Sequence, residues 1–207
     1  LKEGNVIVSG ADPFCIVYHK ERVAAPPANY LDLLRPELKG RIGILEVAAG
    51  TGPVALYDWM EQTYGNDFFA KLKAHGVRLY ASTLPAAQAV AAGEIDVSGY
   101  GFPSFVVPVI EQGAPIAYSI PNPGLAAPGV MGAFAWSKRP NAAQVFIDYV
   151  MSVEGQTLWH GSGTSVSPRS GIPGAIPNDA VTQYDAASYT PDVQAKYREE
   201  WTKRFNG

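Results

Sequence analysis

Residues 42–64 set the pattern for the first half of the chain. An apolar run over Ile42–Val47 breaks at Ala49–Gly52, and apolar residues then recur at helical spacing. We predict a buried strand, a glycine-rich turn and a helix, with Pro53 at the first helical position and Gly65 just past the end. The side chains expected on the inner face of this helix are Val54, Tyr57, Met60 and Tyr64.

Strands and helices are also predicted before this segment and after it, up to residue 120. A buried strand is expected over residues 14–18 and a short helix over 30–34. Helices are predicted to start at residue 66 or 67 and to cover about 85–92 and 103–112, with strands at 77–80, 95–99 and 116–120. Alternating strands and helices predict an α/β fold with a mainly parallel, doubly wound sheet.

The second half reads differently. Residues 121–129 are dense in proline and glycine and predict a loop, followed by a strand over 131–136. A helix with an apolar stripe is predicted over 141–151, and Ser152 and Glu154 are expected to restart a helix that runs through residues 159 and 160. Residues 161–178 predict a surface loop. The tail, residues 192–205, predicts an amphipathic helix.

Three predicted strands end in small or hydroxyl-bearing residues. Ligands collect at the carboxyl ends of parallel strands, and these ends hold residues 49–52, 81–83 and 98–102. A glycine-rich turn before a helix leaves backbone N–H groups free for an anion. A tight turn that only caps the helix fits the same spacing. The turn lacks the Lys-Ser/Thr of a nucleotide-binding P-loop.

Composition narrows the function classes. The chain has 207 residues, of which 47% are hydrophobic and 17% charged, and its net charge of -3 comes without a basic run. This argues for a globular protein and against a nucleic-acid surface. No apolar stretch approaches the roughly 20 residues that cross a bilayer, and the start, LKEGNVIVSG, has no signal-peptide core. Cys15 lies in an apolar run and is expected to be buried.

No catalytic or metal-binding pattern stands out. The sequence has no G-x-S-x-G, H-E-x-x-H or C-x-x-C motif. Its histidines, His19, His75 and His160, are too far apart for metal spacing. We therefore expect a binding protein that is not an enzyme and needs no cofactor.

Four segments together resemble one known family. They are PANYLDLLRPELKGRIGI (Pro27–Ile44), GEIDV (Gly93–Val97), EQGAPI (Glu111–Ile116) and FIDYVMSVEGQ (Phe146–Gln156). In combination they are similar to the extracellular solute-binding proteins of ABC importers, in the group of ferric-iron, polyamine and phosphonate binders. The resemblance implies a type II periplasmic-binding fold with two lobes closing on a small solute, a periplasmic location and delivery to a permease in the inner membrane.

The resemblance also implies a division of the chain. Residues 20–115 correspond to a complete second lobe, and residues 1–19 and 116–207 to part of the first lobe, the hinge crossings and the C-terminal helices. Family members carry a further segment before Phe14, which this chain lacks either by cleavage or naturally. A lobe without it is expected to expose apolar surface and to self-associate.

The expected solute is a small organic anion. Ferric-binding relatives use two adjacent tyrosines after the GEIDV-type strand, whereas this chain has only Tyr100 there. The hydrogen-bond donors expected at the helix starts are Gly50, Thr51, Gly52, Ser82 and Thr83. Tyr100 and Phe102 are expected to form an aromatic wall of the site. Arg169 is expected to pair with the anion. The alternative is the ligand-sensing domain of a LysR-type regulator, which shares the two-lobe architecture.

Overall fold

Residues 6–206 are described by a computed structural model with two sheets and flanking helices. The strands are β1 (Val6–Pro13), β2 (Ile16–His19), β3 (Ile42–Leu45), β4 (Arg78–Tyr80), β5 (Val97–Ser98), β6 (Ile116–Ser119), β7 (Leu125–Gly132) and β8 (Thr182–Gln183). The α-helices are α1 (Thr51–Tyr64), α2 (Phe68–Ala74), α3 (Thr83–Ala91), α4 (Pro103–Glu111), α5 (Pro140–Val150), α6 (Val153–His160) and α7 (Pro191–Asn206).

The larger sheet has the order β4-β3-β5-β2-β6. Strands β4, β3 and β5 run parallel, and β2 lies antiparallel to both β5 and β6. The predicted α/β class with a mainly parallel sheet is therefore confirmed. Helix α1 begins at Thr51 rather than at Pro53, so the proline is the third helical residue, and the helix ends before Gly65 as predicted.

Helix α1 packs against the larger sheet and is hydrogen-bonded to it. Its buried side chains include Val54, Tyr57 and Met60. The Tyr57 hydroxyl donates to the Leu45 carbonyl (2.7 Å) and accepts from the Leu45 N–H (2.9 Å), which ties the helix to the last residue of β3. Helix α7 packs on the outside of α1 and stacks the buried Trp201 ring on Tyr57, with 4.8 Å between centroids.

The smaller sheet, β1-β7-β8, contains the main error of the sequence prediction. Residues 121–129 were expected to form a loop, yet β7 starts at Leu125 and pairs antiparallel with β1. Local proline and glycine signals were overridden by a partner more than a hundred residues away in sequence. Strand β1 itself was not predicted, because VIVSGADP lacks a clean alternation.

The chain passes between the two sheets at residues 14–15 and again at 120–124. All strands of the larger sheet lie within residues 16–119, while the smaller sheet draws on both ends of the described chain. Among residues 6–206, none of the helices is both long enough and apolar enough for a membrane span. Cys15 is fully buried, in agreement with the sequence prediction.

Candidate functional site

Three strand ends meet at one edge of the larger sheet. Strand β3 lies between β4 and β5 and runs parallel to both, so their carboxyl ends point the same way. The Glu46 N–H donates to the Tyr80 carbonyl (2.9 Å), and the Gly99 N–H donates to the Gly43 carbonyl (2.8 Å). These bonds bring the segments that follow β3, β4 and β5 side by side, as the sequence predicted.

The amino end of α1 offers free hydrogen-bond donors. Gly50 occupies the cap position, and no side chain caps the helix. Within the described residues, the N–H groups of Gly50, Thr51 and Gly52 donate no hydrogen bond. Such groups, together with the positive end of a 14-residue helix dipole, favour an anion.

The Thr51 hydroxyl already has a partner. It donates to Oε1 of Gln194 on α7 (3.1 Å). Arg198, one turn further along α7, donates to the same Oε1 (3.1 Å) and to the Val47 carbonyl in the 3-10 turn after β3 (3.2 Å). Helix α7 therefore holds the turn in place through Gln194 and Arg198. Because the Thr51 hydroxyl already donates to Gln194, the Thr51 N–H is the donor that a solute can use.

Tyr100 lies directly beside the start of α1. Its side chain is only 4% exposed, and a Cβ atom added at Gly52 would lie 2.6 Å from its hydroxyl oxygen. The described residues provide no hydrogen-bond partner for this hydroxyl. Burial raises the pKa of Tyr100 well above its ordinary value. The group is therefore a neutral O–H donor pointing at the glycine-rich turn.

The Tyr100 ring is part of an aromatic cluster. The Phe14 ring lies 5.3 Å from Tyr100 and 4.8 Å from Phe102, and Tyr100 and Phe102 are 5.6 Å apart. Phe14 is fully buried and Phe102 is half-buried at the cap of α4. Tyr184, from the segment after β8, stacks on Phe14 at 6.5 Å. Tyr100 is thus part of the core through its ring and faces the turn through its oxygen.

The start of α3 forms the next segment of this edge. Ser82 is the exposed cap residue, its side chain makes no capping bond, and Thr83 is the first helical residue and half-buried. Both hydroxyl groups are without a hydrogen-bond partner among the described residues. The loop after β4 therefore adds uncommitted donors next to the turn after β3.

Arg169 stands apart from these residues. It is exposed, its guanidinium donates to the Met151 carbonyl (3.1 Å), and it lines a cavity of about 560 Å³ formed by residues 168–179. The other seven predicted site residues, which follow β3, β4 and β5, do not line this cavity. Arg169 is therefore not joined to the sheet edge by any contact or cavity within the described residues.

Sequence reasoning missed the contribution of α7 and of Tyr184. The stripe of α7 correctly indicated that Trp201 packs inward, but Gln194 and Arg198 lie beside that stripe and carry no signal of their own. Tyr184 follows a two-residue strand whose partner, β7, was predicted as a loop. A sequence pattern alone gives neither residue a place near the turn.

The segment around Gln156 has a structural role. Ser152 caps α6 by accepting from the Gly155 N–H (3.1 Å), and a Cβ at Gly155 would lie 2.2 Å from the Tyr149 carbonyl oxygen. The buried Gln156 amide donates to the Val150 carbonyl and accepts from the Ser167 hydroxyl (2.6 Å). The serine, glycine and glutamine of the SVEGQ segment are thus required by close packing and by a buried polar network.

With this geometry in place, comparison with known proteins identifies the family. The model for bacterial extracellular solute-binding proteins matches residues 1–189. The chain belongs to this family. Its members are solute-binding proteins of ABC transporters and not enzymes, and they act outside the cytoplasmic membrane. A LysR-type sensing domain is not favoured by these comparisons, and no curated protein matches the sequence.

Solved structures of such binding proteins share the fold. The substrate-binding protein of an ABC transporter from Agrobacterium tumefaciens is 19% identical, with a TM-score of 0.73 over 98% of this chain and 68% of that one. AfuA from Actinobacillus pleuropneumoniae is 20% identical (TM-score 0.64, 100% and 70% covered). Iron-bound HitA from Pseudomonas aeruginosa is also 20% identical (TM-score 0.62, 100% and 70% covered). The type II periplasmic-binding fold is confirmed.

Proposed function

We propose that this solute-binding protein captures a small organic anion at the amino end of α1 and delivers it to an ABC permease in the membrane. The observation that carries the proposal is the meeting of unpaired N–H groups at Gly50, Thr51 and Gly52 with the hydroxyl of Tyr100, which has no hydrogen-bond partner among the described residues and sits on a buried residue. A carboxylate or phosphate accepts from several such donors at once.

The charge state of the site supports an organic anion over ferric iron. A phenol whose pKa is raised by burial remains an O–H donor at neutral pH, and a single tyrosine is a poor ligand set for a hard trivalent cation. Among the neighbours, AfuA was solved with fructose-6-phosphate and HitA with iron. By its donors, the present site fits a solute of the first kind, with Ser82 and Thr83 available for polar groups of the solute.

Delivery to a permease rests on the family. In a two-lobe protein, a bound solute stabilises the closed form by its higher affinity for that form. Arg169 is a candidate contact from the opposite side of the cleft in that form. We expect the solute to contact the turn after β3 first, because its donors are preformed.

Native mass spectrometry of protein purified without refolding identifies any retained solute. Calorimetry with inorganic phosphate, a hexose phosphate and a dicarboxylate, against an uncharged hexose, then tests the charge preference. Tyr100→Phe is expected to weaken anion binding about 10- to 100-fold, since a hydrogen bond to a charged group contributes about 1.5–3 kcal/mol. Tyr30→Phe is the control, because the Tyr30 hydroxyl also has no hydrogen-bond partner among the described residues, while its ring packs against Trp59 and Tyr64.

Equal loss of affinity in both variants, or anion affinity unchanged in Tyr100→Phe, contradicts the proposed site. Tight binding of the uncharged hexose with no binding of any anion contradicts the proposed solute class.

A further inference from the structure

Arg198 on α7 is bonded to both sides of the glycine-rich turn. Its Nε donates to the Val47 carbonyl (3.2 Å), and its Nη2 donates to Oε1 of Gln194 (3.1 Å), the same oxygen that accepts from the Thr51 hydroxyl (3.1 Å). Val47 lies before Gly50, and Thr51 lies after it. The guanidinium is therefore fixed within two hydrogen-bond lengths of the Thr51 hydroxyl.

The orientation of the Gln194 amide makes this arrangement specific. Its Nε2 donates to the Tyr189 carbonyl (2.7 Å), so its oxygen is the end that faces Arg198 and Thr51. A guanidinium has donors only, so a reversed amide would lose its bonds to Arg198 and to Tyr189. The half-buried side chains of Arg198 and Gln194 thus hold each other in one position.

The positive charge of Arg198 is not neutralised by the residues around it. Both of its acceptors, the Val47 carbonyl and the Gln194 amide, are uncharged. Glu199 and Glu200, which follow it on α7, are each paired with a basic residue four positions further along the helix. Within residues 6–206, no carboxylate forms an ion pair with Arg198. A full positive charge is therefore held beside the free N–H groups of the turn.

This charge adds to what the turn itself offers an anion. The amino end of a helix carries only about half an elementary charge, and the Tyr100 hydroxyl is neutral because burial raises its pKa. A solute on the Thr51 N–H lies about 9 Å from the guanidinium, counted as three hydrogen-bond lengths. Near a protein surface, a unit charge at that distance changes the affinity for a monoanion roughly 5- to 20-fold.

We propose that Arg198 is the residue that selects negatively charged solutes at this site, through its charge and from the α7 side of the turn. The inference rests on the proposed function, because it places the solute at the amino end of α1. The bonds to Val47 and Gln194 fix the charge before the solute arrives, so the bound anion gains its attraction without ordering a further side chain.

Calorimetry with inorganic phosphate and with a hexose phosphate tests the role of the charge. Arg198→Gln is expected to weaken binding of both about 5- to 20-fold, whereas Arg198→Lys keeps the charge and is expected to stay within about 3-fold of the wild type. Both variants lose the paired guanidinium contacts, so urea unfolding is expected to show both as less stable than the wild type. This comparison separates the charge from the hydrogen bonds.

Lys196→Gln is the matched control for net charge. Lys196 is exposed on the same helix and has no hydrogen bond or ion pair among the described residues, so its replacement removes one positive charge away from the turn. We expect its anion affinity to stay within about 2-fold of the wild type. The loss in Arg198→Gln is also expected to shrink in about 1 M salt, where charges are screened beyond about 3 Å. Circular dichroism checks that each variant is folded.

Four results overturn the role of Arg198. They are unchanged affinity in Arg198→Gln, equal losses in Arg198→Gln and Arg198→Lys, an equal loss in Lys196→Gln, and a loss in Arg198→Gln that salt leaves unaltered. If Tyr100→Phe weakens binding while Arg198→Gln does not, the proposed site stands and only the role of Arg198 falls. Absence of binding of either anion to the wild type overturns both.

Discussion

Gly52→Ala tests the close approach of α1 to Tyr100. The added Cβ would lie 2.6 Å from the Tyr100 hydroxyl oxygen and 3.7 and 3.8 Å from two Phe14 ring carbons. The contact with the ring carbons is ordinary, whereas the contact with oxygen is about 0.8 Å too short. The Tyr100 ring cannot swing away, because it is 4% exposed and packed between Phe14 and Phe102.

The magnitude follows from two opposing terms. Overpacking a well-filled site costs about 1–3 kcal/mol, and replacing glycine by alanine in a helix returns up to about 1 kcal/mol. We therefore expect Gly52→Ala to lower the free energy of unfolding by about 1–2 kcal/mol. Tyr100→Phe alone is expected to change it little, since its hydroxyl has no partner within the described residues to lose.

The double variant separates this cause from a general effect on the helix. Without the hydroxyl oxygen the added methyl group fits, so Gly52→Ala is expected to cost at least 1 kcal/mol less in the Tyr100→Phe background. Urea unfolding, followed by circular dichroism with the slope checked for constancy, gives the four free energies. An equal loss in both backgrounds, or a Gly52→Ala variant at least as stable as the wild type, refutes the reasoning.

Three further measurements probe other parts of the molecule. Gln194→Ala removes the acceptor of the Thr51 hydroxyl and is expected to lower the free energy of urea unfolding by about 1 kcal/mol; an unchanged midpoint contradicts the proposed role of α7. Hydrogen bonds from the Arg41 guanidinium hold the pKa of Asp96 below 3.8, so their stabilisation is present above about pH 4 and is lost as the pH falls through the lowered value. Asp96→Asn is thus expected to be less stable at pH 7 and to lose less stability between pH 4 and pH 2, and parallel acid profiles for the two proteins would argue against it. Cys15 is fully buried with a raised pKa, so a thiol reagent should modify it only on unfolding; rapid reaction of native protein contradicts this.

The sequence predicted most of the larger sheet because its signals are local. Strand β3 follows from its short apolar run, and the end of α1 follows from Gly65, which takes a positive φ there. The same reasoning failed for β7, where proline and glycine indicate a loop and pairing with β1 makes a strand. Long-range pairing leaves no periodic trace in a segment that is poor in β-branched residues.

The candidate site divides in the same way. The sequence by itself determined the glycine-rich turn and the helix that follows it, because these depend on neighbouring residues in the chain. It also indicated the family, through four characteristic segments. Only the tertiary structure decided that the Tyr100 hydroxyl points at Gly52, that Gln194 holds Thr51 and that Arg169 lies in a separate cavity. These facts depend on contacts between residues that are far apart in the chain. Which side chains meet is set by how whole helices and sheets pack, and not by the sequence around each residue.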